Sequence, residues 1–203
     1  MTRRIAAVLL LVGAAACAQR PEAASGAQVE ALDAAAGCLA DGSGRFEAQV
    51  RGAIEADVDW LDAQMSCDGD IRPDGEVLRL TVAGRADGGR LLRFILGIHL
   101  ADAAEGAAQV LPTNLTVLVE GEALMFATRG EDKCAVEDLV RTPLEDGSER
   151  VSGRGYCLDP ASDLVGESRV LVPTFSFTTL VRAGADEEEG AAVQPAALIR
   201  SPD

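Results

Sequence analysis

The chain has 203 residues, with 33 acidic against 18 basic side chains and a formal charge of −15. A hydrophobic content of 48% is enough for a real core, and the length suits one domain with tails. The acidic balance argues against nucleic acid as a partner, which needs clustered Lys and Arg to displace counterions, and against charge-driven adhesion to anionic lipid; it favours solubility or a basic partner.

The chain begins with Arg3 and Arg4, an unbroken apolar run from Ile5 to Val12, and a small-residue stretch Ala14 to Ala16 before Cys17. A charged start, a short apolar run and a small-residue exit are the parts of a secretory signal, here residues 1–16. The run is shorter than the roughly 20 residues a membrane span needs. Two exits compete. Ala14-Ala15-Ala16-Cys17 resembles a bacterial lipobox, with Ala14 where that pattern prefers Leu; the thiol of Cys17 then takes a diacylglycerol and becomes the new N-terminus. Cleavage after Ala18 at Ala16-Cys17-Ala18 instead discards Cys17. Loss of Arg3 and Arg4 with the signal takes the charge from −15 to −17.

Residues 17–37 read as a tether, being rich in Ala, Gln, Pro and Ser with little bulk. Val29, Leu32, Ala36 and Leu39 fall at helical spacing, which predicts a short helix ending near Gly42.

From Phe46 the period becomes two. Phe46, Ala48, Val50, Ile54, Ala56, Val58 and Trp60 all lie at even positions, a half-buried strand with a bulge or bend at Gly52. Residues 77–83 and 91–100 alternate likewise and form a hairpin around the turn residues Asp87-Gly88-Gly89. Residues 101–113 are a short helix or a loop. Leu115 to Val119 and Leu124 to Phe126 make a second hairpin across Glu120-Gly121-Glu122. Residues 159–164 are a loop or a helical turn, and residues 169–172 and 174–181 complete the strands. From residue 184 to 203 the chain is acidic and bulk-poor, a disordered tail. About eight or nine short strands joined by turns, within residues 38–183, predict a mainly β antiparallel sandwich. A small closed barrel is the alternative.

Five cysteines are present. With Cys17 lipidated or removed, four remain, an even set suited to an oxidising compartment. Cys134 and Cys157 flank a segment whose midpoint falls at Glu145/Asp146, beside the turn dipeptide Asp146-Gly147. A hairpin folded there brings the two cysteines nearly opposite, within reach of a disulfide. Cys38–Cys67 follows by elimination.

No catalytic, cofactor-binding or metal-binding residue is assigned. G-x-S-x-G, phosphate-loop and dinucleotide patterns are absent. A Ser-x-x-Lys nucleophile would need Lys133, and Gly130 stands in place of its serine. His99, the only histidine, lies on the strand face opposite the apolar one and reads as a partly exposed strand residue. Asp68, Asp70, Asp74 and Glu76 offer oxygens to calcium. Arg72 and Pro73 break any EF-hand spacing, however, and the Asp-Gly pairs favour a turn. The acidic residues are too numerous for any pair to mark glycoside hydrolysis. Trp60 and Tyr156 are single, and the Phe residues mostly face the core, which counts against sugar stacking.

The signal, Cys17, the tether and the β architecture resemble small envelope lipoproteins of Gram-negative bacteria. The resemblance implies location: Ala18 rather than Asp after the cysteine implies an outer-membrane lipid anchor facing the periplasm. The function expected is non-enzymatic, binding or supporting an envelope protein through a sheet edge or loop. The alternatives are a soluble periplasmic or secreted form, a carboxylate-dependent hydrolase and a small-ligand carrier built around an apolar cavity.

Overall fold

The computed structural model describes residues 38–100, 110–130 and 133–182. The expected signal, Cys17, the tether helix before Leu39 and the acidic tail lie outside the described residues. The described part of the predicted helix, Leu39 to Gly42, is a turn closed by the Gly42 N–H donating to Leu39 O at 2.9 Å.

The protein is mainly β with antiparallel pairing, as expected. The strands are β1 Arg45–Gly52, β2 Ala56–Leu61, β3 Met65–Ile71, β4 Val77–Arg85, β5 Leu91–His99, β6 Val110–Val119, β7 Leu124–Ala127, β8 Cys134–Pro143, β9 Glu149–Cys157, β10 Ala161–Ser162, β11 Arg169–Leu171 and β12 Phe175–Val181. One layer runs β3-β4-β5-β6 and the other β2-β1-β12-β9-β8. The layers meet at two seams. The leading half of β6 pairs with the start of β8, and the end of β3 reaches β12, where the Arg182 N–H donates to Gly69 O at 2.9 Å. Strands β7, β10 and β11 carry the sheet from the trailing half of β6 round to β1. The result is a sandwich closed along its sides, between the two architectures expected.

Alternation places the core. In β5, Leu92, Phe94, Leu96 and Ile98 are buried while every residue between them is half-exposed. Phe46 of β1 meets Phe94 at 4.8 Å between ring centroids, and Trp60 of β2 meets it at 5.9 Å, so the aromatic cluster joins the layers. The Trp60 ring lies where a side chain at Gly84 would stand, a Cβ there coming within 2.6 Å of it, and its indole N–H donates to Arg85 O at 2.8 Å. That bond satisfies the one polar atom of an otherwise buried ring.

Four expectations are corrected. The even-numbered run from Phe46 to Trp60 is two strands, because the three-residue link 53–55 turns the chain without changing which parity faces inward. Residues 68–71, within the Asp68–Glu76 stretch read as a turn, belong to β3; Cys67 and Gly69 at its inward positions leave only a weak apolar alternation. Residues 110–113, read as helix or loop, begin β6 despite Pro112. Residues 159–164, read as a loop or helical turn, include the short strand β10.

Candidate functional site

Both cysteine pairs stand as expected. Cys134 and Cys157 are direct partners in the β8–β9 register, at bonding distance with Cα atoms 3.9 Å apart. The intervening hairpin turns at Leu144–Ser148, where Leu144 N–H donates to Ser148 O at 2.8 Å and the Asp146 carboxylate accepts from the Ser148 N–H and hydroxyl. Those bonds, the Ser148 hydroxyl first, hold the Asp146 carboxyl below its ordinary value. Cys38 and Cys67 are likewise paired, with Cα atoms 5.4 Å apart, and so fasten the segment before β1 to β3. Asp62 supports the same segment from inside: its buried carboxylate accepts the N–H groups of Leu39 at 2.9 Å and Gly44 at 3.1 Å.

The aspartates weighed for calcium do not converge. Asp68 and Asp70 project from β3, and Asp68 pairs with Arg182 at 2.7 Å. Asp74 sits in the following turn, capping the Glu76 N–H at 2.9 Å and facing Arg72 at 3.5 Å. Among the described residues no group of three or more His, Cys, Asp or Glu is disposed to hold a metal ion. His99 ends β5, with its Nε2 3.3 Å from the Asn114 amide on β6.

A groove of about 560 Å³ lies on the outer face of the β2-β1-β12-β9-β8 layer. Register builds it. One row of opposed outward residues runs Glu137–Arg154–Ser176–Glu47–Asp59 across β8, β9, β12, β1 and β2. The next carries Tyr156, Gln49 and Asp57, with Thr174 joined to β1 by the Gln49 N–H donating to its carbonyl at 3.1 Å. The middle strand contributes only the short side chains Thr174 and Ser176, while longer ones rise on either side, so the sheet face is hollowed along β12. Strands lie about 4.8 Å apart, which makes the hollow roughly 10 Å from β1 to β9.

The polar groups of the groove are held in place. The Ser176 hydroxyl donates to Glu47 at 2.9 Å, and Glu47 also pairs with Arg45 at 3.0 Å. Asp57 pairs with Arg51 at 2.6 Å. Arg154 is clamped by Asp138, and this contact depends on an irregularity in β8. Between Glu137 and Val140 the register shifts, and Asp138 takes a φ of 52°. A bulge of this kind re-aims a side chain; here it brings the Asp138 carboxylate to the same exposed face as its neighbour Glu137. The Asp138 carboxylate holds the Arg154 guanidinium above its ordinary pKa.

Of the two aromatics considered as sugar platforms, Trp60 is in the core and Tyr156 is half-exposed in the groove. No motif marked Glu47, Gln49, Glu137, Arg154 or Ser176 in the sequence. The signal that reveals them is the strand register, which the linear chain does not display. In comparison with known proteins, the chain matches no family model, no curated sequence and no solved structure.

Proposed function

We propose that the protein is an exported, non-enzymatic binding domain, held by a lipid on Cys17 to the periplasmic side of the outer membrane, and that it binds its partner in the groove over β12. The observation that carries the binding reading is the groove itself: a hollow of ligand size on one sheet face, in which Glu47, Asp57, Arg154 and Ser176 are held by ion pairs and hydrogen bonds. The address rests on the signal-like first 16 residues, the tether behind Cys17 and the two cysteine pairs, which persist in oxidising compartments.

Site-specific photocrosslinking in intact cells tests the reading. A benzoylphenylalanine at Gln49, inside the groove, is expected to yield a discrete adduct on irradiation. The same group at Arg79, on the outward side of β4, is expected to yield none. Equal labelling from both positions, or none from Gln49, would overturn the groove as the binding face.

A further inference from the structure

We infer that the groove over β12 binds a hydroxyl-rich saccharide chain, seated on Tyr156 and hydrogen-bonded by Glu47, Gln49 and Arg154. This deepens, and rests on, the reading of the groove as a binding site.

The lining selects among ligand classes. Arg154, the one basic side chain of the lining, is already paired with Asp138, so an anion or nucleic acid finds no free cation there. The lining mixes polar and apolar surface, with Glu47, Gln49 and Arg154 beside Ala48, Val58 and Phe175, which suits an amphipathic ligand better than a wholly apolar one. A bare cation also fits poorly, because Glu47 and Asp57 are already neutralised by Arg45 and Arg51. Those carboxylates therefore present oriented acceptors rather than free charge.

Carboxylate, primary amide and guanidinium are planar groups with two hydrogen-bonding atoms in a fork. Adjacent hydroxyls of a sugar ring match that fork, each hydroxyl both donating and accepting. Glu47, Gln49 and Arg154 supply one group of each kind around the hollow. Tyr156 adds a flat amphipathic face, against which the C–H side of a pyranose packs, and its hydroxyl adds another polar contact. A width of roughly 10 Å admits one sugar ring across and lets a chain run along the strand direction.

A basic extended peptide is the competing occupant, and the backbone disfavours it. Peptides that dock on sheets gain affinity from main-chain pairing at a free edge. The floor of this groove is the middle of a sheet: β12 is paired on both sides, with β1 and with β9. A saccharide needs no such edge.

The test titrates the isotope-labelled chain, with both cysteine pairs oxidised, with cellotetraose, chitotetraose and maltotetraose in turn, following backbone amide shifts; tetralysine is the comparison ligand. At least one tetrasaccharide is expected to shift the amides around Glu47, Gln49, Tyr156 and Ser176. Tyr156→Ala is expected to weaken that binding about tenfold or more, and Tyr156→Phe, which keeps the ring, to retain most of it. Gln49→Ala on the opposite wall provides a second variant should Tyr156→Ala fail to fold, and is expected to weaken binding severalfold. Shifts with tetralysine alone, shifts outside the groove, or no response to all three sugars would overturn the saccharide inference. A groove-specific protein crosslink from Gln49 together with silent sugar titrations would remove this inference and leave the binding reading standing. Shortening of a bound tetrasaccharide, read by mass, would remove the non-enzymatic reading and leave the saccharide site.

Discussion

Gly155 of β9 stands directly opposite Phe175 of β12, and the phenyl ring fills the space that a side chain at position 155 would need. The next inward pair repeats the arrangement: Gly153 faces Phe177, whose Cζ lies 2.9 Å from where a Cβ would stand. The two glycines let two rings pack closely against β9 beneath the groove. Outward-facing Arg154 stands between the two glycines and Tyr156 directly after the second, so the packing below positions the chemistry above.

Substituting Gly155 by Ala forces the new methyl against both Phe175 and the Ala135 carbonyl, which would lie 2.6 Å away. Backbone cannot yield as a side chain does, so overpacking of about 2–3 kcal/mol is expected. Gly153→Ala meets only side-chain atoms and is expected to cost less. Urea unfolding of the two variants checks the order; equal midpoints would contradict it, and midpoints unchanged from the parent chain would show that the rings do not depend on these glycines.

Each cysteine pair closes a loop of moderate length, with sequence separations of 29 for Cys38–Cys67 and 23 for Cys134–Cys157. Restricting the unfolded chain over such loops is worth about 3 kcal/mol apiece. Replacing either pair by serines is expected to lower stability by roughly that amount in chemical denaturation. Peptide mapping without reduction is expected to recover Cys134 joined to Cys157 and never to Cys38 or Cys67.

The buried Asp62 carboxylate accepts two backbone N–H groups from the segment that leads into β1. Asp62→Ala leaves both donors without a partner in the interior, at a cost of about 2–4 kcal/mol. Hydrogen exchange of the Leu39 and Gly44 amides is expected to accelerate in this variant ahead of the amides of β5. Unchanged protection at Leu39 and Gly44 would contradict the role given to Asp62.

The loop joining β10 to β11 is organised by Asp163. Partial burial raises its pKa, but the N–H groups of Ser168, Gly166 and Glu167 all donate to its carboxylate and outweigh that effect, so it lies below the ordinary 3.8. A depressed folded-state value means the stabilisation is fully present above the unfolded pKa and is lost as the pH falls through the folded one. The loop is therefore expected to stay ordered from neutral pH down past 3.8 and to loosen only below it. Amide exchange at Gly166 and Glu167 across that range reads the transition. In Asp163→Asn the same amides are expected to exchange faster already at neutral pH.

Much of the fold was legible because strand alternation reports directly on burial. The alternation of Leu92 to Ile98 marks β5, and the Asp146-Gly147 midpoint sets Cys134 against Cys157. What escaped notice did so for physical reasons. The link 53–55 preserves parity, so β1 and β2 read as one strand. Gly69 faces inward because the β12 backbone approaches closely, its Leu180 carbonyl lying 2.8 Å from where a Cβ would stand, and a glycine there looks like a turn. The candidate site escaped altogether. Glu47, Glu137, Arg154 and Ser176 come from four strands, and only the register aligns them in a row; Asp138 joins them through a bulge that no local pattern announces.

Export on a lipidated Cys17, with both cysteine pairs oxidised, is the proposal on which the rest depends. Intact-mass measurement of the mature chain from fractionated Gram-negative cells tests it most directly. An outer-membrane species beginning at Cys17 is expected, heavier by its lipid and lighter than the reduced form by the hydrogens lost in two disulfides. An unlipidated chain beginning at Gln19 would contradict the anchor. A chain that retains residues 1–16 in the cytoplasm, with its cysteines free, would contradict the account as a whole.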